Sequence, residues 1–282
     1  MLKRTLSGAV YVVLIVAFIL LRQNVDVRIF NIFTLFLCAV GTFEIARAVE
    51  KSLFNGWFLL ITIYGGLFFV NYAVIEYFFY QGYGYIFSLA LCGLAVLVTL
   101  VVALIKKAGL KKFVVNALGF VYPALFLLCL AVCNDINFAK GYIALLLIFI
   151  ISPLTDTLAY LVGMTYSKIK KGNVKKLCPR LSPKKTIAGA IGGLFGGIIG
   201  GILICAIFSS YVWFDNAYLI FIVVGLISAV LTEIGDLFES YIKRKVGLKD
   251  MGKIMPGHGG VMDRIDGMLF VMPIVLLFCI LV

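Results

Sequence analysis

The chain has 282 residues, 63% of them hydrophobic and only 13% charged, with a formal net charge of +12. That charged share is about half the usual one, which excludes an ordinary soluble domain, and disorder requires the opposite composition. The cysteines at 38, 92, 129, 133, 178, 205 and 279 form no CxxC pair, so neither a zinc knuckle nor a thioredoxin-like site is written here.

A membrane-spanning helix needs about 20 mostly apolar residues. Nine segments qualify, roughly 6–21, 30–49, 53–72, 84–105, 113–132, 141–163, 187–210, 217–238 and 265–282. The first resembles a signal peptide, but Leu21-Arg22-Gln23-Asn24 follows it in place of a small-residue cleavage pattern, so it reads as a retained helix. The run 53–80 is long and aromatic, which leaves its end open. Strand alternation is absent, so the expected fold is all-α, a polytopic transmembrane helical bundle of about nine helices.

Charge orients the chain. With the N-terminus inside, 22 of the 25 basic residues fall in inside loops, and only Arg22, Arg28 and Lys140 remain outside. This asymmetry predicts a cytoplasmic N-terminus and explains the basic excess without a nucleic-acid partner. Two inside loops, about 164–186 and 239–264, hold most of the polar chemistry. Residues 1–140 read as transmembrane scaffold and 141–282 as a catalytic region with a polar site on the cytoplasmic side. No internal repeat supports an inverted-repeat transporter. Glu44 lies within the second helix; pairing with a basic loop residue and a functional role stand side by side for it.

Acids in membrane helices cost about 2.5–3.5 kcal/mol each on insertion scales, so they default to functional hypotheses. In the stretch from Glu233 to Arg244, Asp236, Ser240 and Lys243 fall at i, i+4 and i+7 on one helical face. Carboxylate, hydroxyl and ammonium on one stripe suit a metal–phosphate site; a helix end with snorkelling charges is the alternative. Farther on, Gly257, Gly259 and Gly260 precede Asp263, Arg264 and Asp266. Glycines there expose amide donors, as anion-binding nests do. Asp263 and Asp266 are one helical turn apart, and few carboxylates completed by phosphate and water is how Mg²⁺ is usually held. His258 is the single histidine. Ser182, Lys184, Lys185 and Thr186, at a helix start, form a candidate anion site. The glycine run 189–201 carries overlapping GxxxG spacings, which mark close helix packing or, as the alternative, a subunit contact in a homodimer.

The order Ser240-x-x-Lys243-Arg244-x4-Lys249-Asp250, then Pro256-x-His258-Gly259-Gly260-x-x-Asp263-Arg264-x-Asp266, closely resembles the signature of phosphatidate cytidylyltransferases, also called CDP-diacylglycerol synthases. Asp156-x-x-Ala-Tyr160-x-x-Gly163 and Ser182-Pro183-Lys184-Lys185-Thr186 look like that family's midchain pattern. Two positions depart: Met255 stands where the family usually has Leu, Ile or Phe, and Ala188 where it usually has Glu. The resemblance implies transfer of the cytidylyl group of CTP to phosphatidate, among membrane lipid; the short compact chain points to a bacterial plasma membrane, with an organellar membrane as the alternative. The resemblance also implies Mg²⁺ held by Asp156, Asp236, Asp263 and Asp266, with potassium as a candidate second cation. Lys243 and Arg264 would neutralise triphosphate charge, and Ser182, Lys184, Lys185 and Thr186 would bind one phosphate. Arg244 and Lys249 would contact a headgroup, with Ser240, Gly259 and Gly260 beside the substrate. His258 would assist proton handling or orient the glycine loop. Two other readings are a transporter using Asp156, Glu233 and Asp236 as an ion path, and a related lipid transferase or kinase.

Overall fold

The structure, a computed structural model, describes residues 2–50, 56–79, 81–209, 215–252, 254–255 and 259–282. Among these the chain is nearly all helical. The helices are α1 (Leu2–Asn24), α2 (Arg28–Val49), α3 (Gly56–Val74), α4 (Gly84–Ile105), α5 (Gly109–Asp135), α6 (Phe138–Ile169), α7 (Ile187–Ile207), α8 (Ala217–Lys245) and α9 (Met262–Leu281). Eight of them, α2 to α9, are long and apolar enough to cross a membrane, and α1 adds a shorter apolar stretch, Gly8–Asn24. Helices satisfy every backbone group internally, which lipid demands. The protein is a polytopic integral membrane protein of the expected all-α class.

The aromatic run after α3 continues as a π-helical segment, Ile75–Phe79. Glu76 in that segment accepts hydrogen bonds from the backbone N–H of Gly82 (2.8 Å) and Gly84 (3.0 Å), which fixes the approach to α4.

One short hairpin accompanies the helices: β1 (Lys176–Cys178) and β2 (Ser182–Thr186) pair antiparallel between α6 and α7. Its turn, Cys178-Pro179-Arg180-Leu181, is closed by the Leu181 N–H on the Cys178 carbonyl at 3.3 Å, with proline in the second turn position. Pro183 is tolerated in β2 because a two-stranded ribbon leaves one side of each strand unpaired.

The chain divides into two compact units, Met1–Val132 with Asp250–Arg264, and Cys133–Lys249 with Ile265–Val282. The loop at 250–264 therefore groups with the N-terminal helices, and the division falls within the first turn of α9. In unit one, α1, α2, α3 and α4 pack as sequence neighbours. Helix α5 joins α3 through Gly119, where a methyl group would stand 3.2 Å from Ile61, and through the Tyr64–Phe120 ring pair.

Unit two is organised by the glycines of α7, both faces of which are used inside the chain. A methyl group on Gly192 would meet Val162 at 2.6 Å, and one on Gly196 would meet the Leu154 carbonyl oxygen of α6 at 2.8 Å. On the other face, methyl groups on Gly197 and Gly201 would collide with the carbonyl oxygens of Gly225 and Phe221 in α8. Backbones approach this closely only where side chains are missing. Of the two readings of the glycine run, close helix packing is the one observed. Ile191, Phe195 and Ile199 are left exposed as an apolar face.

Candidate active site

Helix α8 brings its polar stripe to one end of unit two. Glu233, Glu239, Ser240 and Lys243 are all buried, so these are not snorkelling charges at a helix end. The strongest contact reaches across from the hairpin. Lys185, at the end of β2, places its ammonium 2.5 Å from Glu233 Oε2 and 2.7 Å from Asp236 Oδ2. Burial of Lys185 favours its neutral form, but the charges and hydrogen bonds of Asp236 and Glu233 outweigh that and hold its pKa above the ordinary lysine value of 10.5. The ammonium is therefore a fixed cation between two carboxylates.

A cavity of about 300 Å³ opens beside this pair, with Asp156, Tyr160, Lys184, Lys185, Thr186 and Glu233 in its walls. The sequence builds it locally. Thr186 caps α7: its hydroxyl oxygen accepts the Gly189 N–H at 3.0 Å. Gly163 and Gly189 let α6 and α7 nearly touch, since a methyl group on either would stand 3.4 Å from the other's Cα. Ser182 is half-buried at the start of β2, and Lys184 is exposed at the rim.

Below the Lys185 pair the carboxylates continue. Asp156 lies within the electrostatic field of Asp266, Lys185, Asp236 and Glu233. Asp266 accepts the Gly267 N–H at 2.8 Å, and it has Glu239, Asp236 and Lys243 as neighbours. Lys243 sits 3.7 Å from Glu239 one turn earlier on α8. Arg244 is exposed and donates to the Leu248 carbonyl at 3.0 Å; Lys249 and Arg264 are also exposed. Unit two thus brings together Asp156, Lys184, Lys185, Thr186, Asp236, Lys243 and Asp266. Glu233 and Glu239 join this group; the sequence names Glu233, one turn before Asp236, only for an ion path and gives no local signal for Glu239.

Unit one holds the glycine segment. Met255 N–H donates to the Gly259 carbonyl at 2.9 Å, and Gly259 takes φ +92°, a left-handed conformation that suits glycine. Asp263 Oδ2 accepts the N–H groups of Met251 (2.9 Å) and Gly260 (2.8 Å). The N–H groups of Val261 and Met262 donate to Glu44 in α2. The amides at 260–262 are thus turned toward the protein's own carboxylates, and among the described residues the partners of Glu44 are backbone amides. His258 and Gly257 lie outside the described residues.

The donor set of unit two can be tested against Mg²⁺. Its ligands would be carboxylate oxygens, which suit a hard cation. Among the described residues no three acidic, histidine or cysteine side chains are gathered at ligating spacing. A cation that takes few protein oxygens and completes its shell with phosphate and water fits this arrangement.

Comparison with known proteins agrees in one direction. Relatives named phosphatidate cytidylyltransferase include those of Staphylococcus aureus (42% identical over 141 residues, 48% of each chain), Rickettsia prowazekii (38% over 141 residues, 49% of this chain and 58% of that one) and Staphylococcus saprophyticus (35% over 141 residues, 48% of each chain). The aligned stretch spans about half the length of these relatives. The profile of the Cytidylyltransferase family matches residues 2–282. On that whole-length match, joined to the polar cluster that α6, the hairpin and α8 assemble, the chain belongs to the cytidylyltransferase family.

Proposed function

We propose that the protein transfers the cytidylyl group of CTP to phosphatidate, giving CDP-diacylglycerol and pyrophosphate. One observation carries the reading beyond family membership: the cavity at the head of α7 has apolar membrane helices for its frame and both cations and carboxylates in its walls. Such a site suits a lipid whose only polar part is its phosphate, together with a polyanionic nucleotide. In the reaction a phosphate oxygen of phosphatidate attacks the α-phosphorus of CTP. The new P–O bond forms as the bond to the bridging oxygen of the β-phosphate breaks, and pyrophosphate leaves with that electron pair.

The protein's work is positioning and charge neutralisation. Lys184 and Lys185 meet a phosphate at the cavity, and Lys243 neutralises charge developing on the leaving pyrophosphate. Arg264 keeps the charge-neutralising role that the family resemblance implies. Asp156, Asp236 and Asp266 are the carboxylates of unit two that would hold Mg²⁺, which when bound offsets the negative charge of the phosphate oxygens; Asp263 keeps the metal-binding role that the family resemblance implies. We place the N-terminus and the loops at 170–186 and 246–261 in the cytoplasm, where CTP is found, on the strength of the 22 basic residues that this orientation puts inside.

The test is pyrophosphate release by purified protein in lipid–detergent micelles. Release should need CTP, phosphatidate and Mg²⁺ together. Diacylglycerol in place of phosphatidate offers no attacking phosphate and should give none; equal release with diacylglycerol would overturn the assignment of the acceptor.

A further inference from the structure

Glu44 has no part in the proposed reaction, yet it is an acid near the end of a membrane-spanning helix and is 2% exposed. An acid in such a helix is costly, so its partners matter. Its two oxygens accept the N–H groups of Val261 at 3.1 Å and Met262 at 2.9 Å, at the start of α9. The first amides of a helix have no intrahelical acceptor, and that end carries partial positive charge, so a carboxylate satisfies both needs. Asp263, which could have served locally, is turned back onto the Met251 and Gly260 amides instead.

The surrounding sequence makes room for this contact. Gly41 lies one turn before Glu44 on α2, and a methyl group there would stand 2.8 Å from the Met262 sulfur. A methyl group on Gly252 or Gly260 would run into the Glu44 carboxylate itself. Glycines from two distant parts of the chain thus close around one side chain.

We propose that Glu44 is a positioning residue: it caps α9 from another helix and so holds the Gly259–Gly260 turn and Asp263 in the arrangement that binds ligand. It touches no reacting atom. The proposal rests on the cytidylyl-transfer reading for the ligand, CTP, and for the place of Asp263 and the glycine turn in its site.

The first test is Glu44→Gln in the full-length protein in micelles. The variant keeps the shape but has one acceptor, and its amide group sets a donor against a backbone donor. Hydrogen–deuterium exchange at residues 260–263 should quicken by about tenfold or more, while α3 and α7 keep their protection. The KM for CTP should rise about tenfold with kcat at saturation within about twofold, because ligand restores the ordered turn. Glu44→Asp, which keeps a carboxylate on a shorter arm, should fall between. A merely structural acid would lower the melting temperature and the active fraction, and with it kcat, while KM and local exchange stayed as in the wild type; that result overturns the proposal. If Glu44→Gln does not fold, Gly252→Ala displaces the carboxylate without removing it and should give the same exchange signature; wild-type exchange there overturns the proposal equally. The exchange measurement needs no substrate, so a failure of the cytidylyl-transfer reading leaves it able to decide the role of Glu44.

Discussion

Replacing Lys185 with methionine is the sharpest perturbation of unit two. The substitution keeps most of the side-chain volume and removes one charge. It breaks the 2.5 Å contact to Glu233 and the 2.7 Å contact to Asp236. Hydrogen bonds to charged groups contribute about 1.5–3 kcal/mol each. The side chains of Lys185 and Glu233 are 20% and 10% exposed, so that contact belongs in the middle of the range. Asp236 is 31% exposed and better screened, which puts its contact at the low end or under it. The expected loss of folding stability is about 3 kcal/mol. Equilibrium unfolding in mixed micelles would measure it, and a double-mutant cycle with Glu233→Gln would isolate the pair, with an expected coupling of about 1.5–2.5 kcal/mol. The pH dependence follows from the raised pKa of Lys185. Its contribution is complete below the unfolded value of 10.5 and is lost only as pH climbs through the higher folded value. The deficit of Lys185→Met should therefore be the same at pH 6 and pH 9. A coupling under about 0.5 kcal/mol would refute the view that this ion pair holds the hairpin to α8.

Gly201→Ala should destabilise by about 1–2 kcal/mol net of the helix-propensity gain, because its methyl group meets the Phe221 carbonyl oxygen, whereas Gly66→Ala, which meets nothing, should not; equal melting temperatures for the two would count against the α7–α8 contact. Asp266→Asn should cut turnover by about a hundredfold or more while expression and melting temperature hold, since it removes one charge from the carboxylate group that it forms with Asp236 and Glu239 beside Lys243; near-normal turnover would remove it from the site. In a background free of the native cysteines, single cysteines at the exposed positions 107 and 171 should label from the cytoplasmic side and one at 24 from the opposite side; labelling of all three from one side would contradict the orientation.

The helices were legible because lipid allows so few alternatives: each apolar run of about 20 residues became one. What the runs missed were the tails. Helix α6 continues to Ile169 and α8 to Lys245, past the apolar boundary, since the polar tails keep their helical hydrogen bonds outside the apolar zone. The hairpin was missed for a different reason. Lys175 to Thr186 carries four lysines, an arginine and two prolines among its twelve residues with no period-2 alternation, and only the Pro179 turn hinted at it.

The site was legible as a set of residues more than as a set of contacts. Lys185 reads in sequence as an anion ligand among other basic residues, and nothing local says that Glu233 and Asp236, some 50 positions later, will grip it. The amides at 260–262 read as open donors, but Asp263 and Glu44 take them. Glu44 pairs with backbone 217 residues away. A backbone partner carries no side-chain signature, so the acid was visible and its purpose was not.

Cytidylyl transfer is tested most directly by following two labels from CTP. Purified protein would be given phosphatidate, Mg²⁺ and CTP labelled in either the α- or the γ-phosphate. The account predicts that α-label enters the lipid phase, that γ-label leaves as pyrophosphate, and that EDTA abolishes both. Lipid that carries γ-label and no α-label would mean phosphoryl transfer instead, and would contradict the reading of this protein as a cytidylyltransferase.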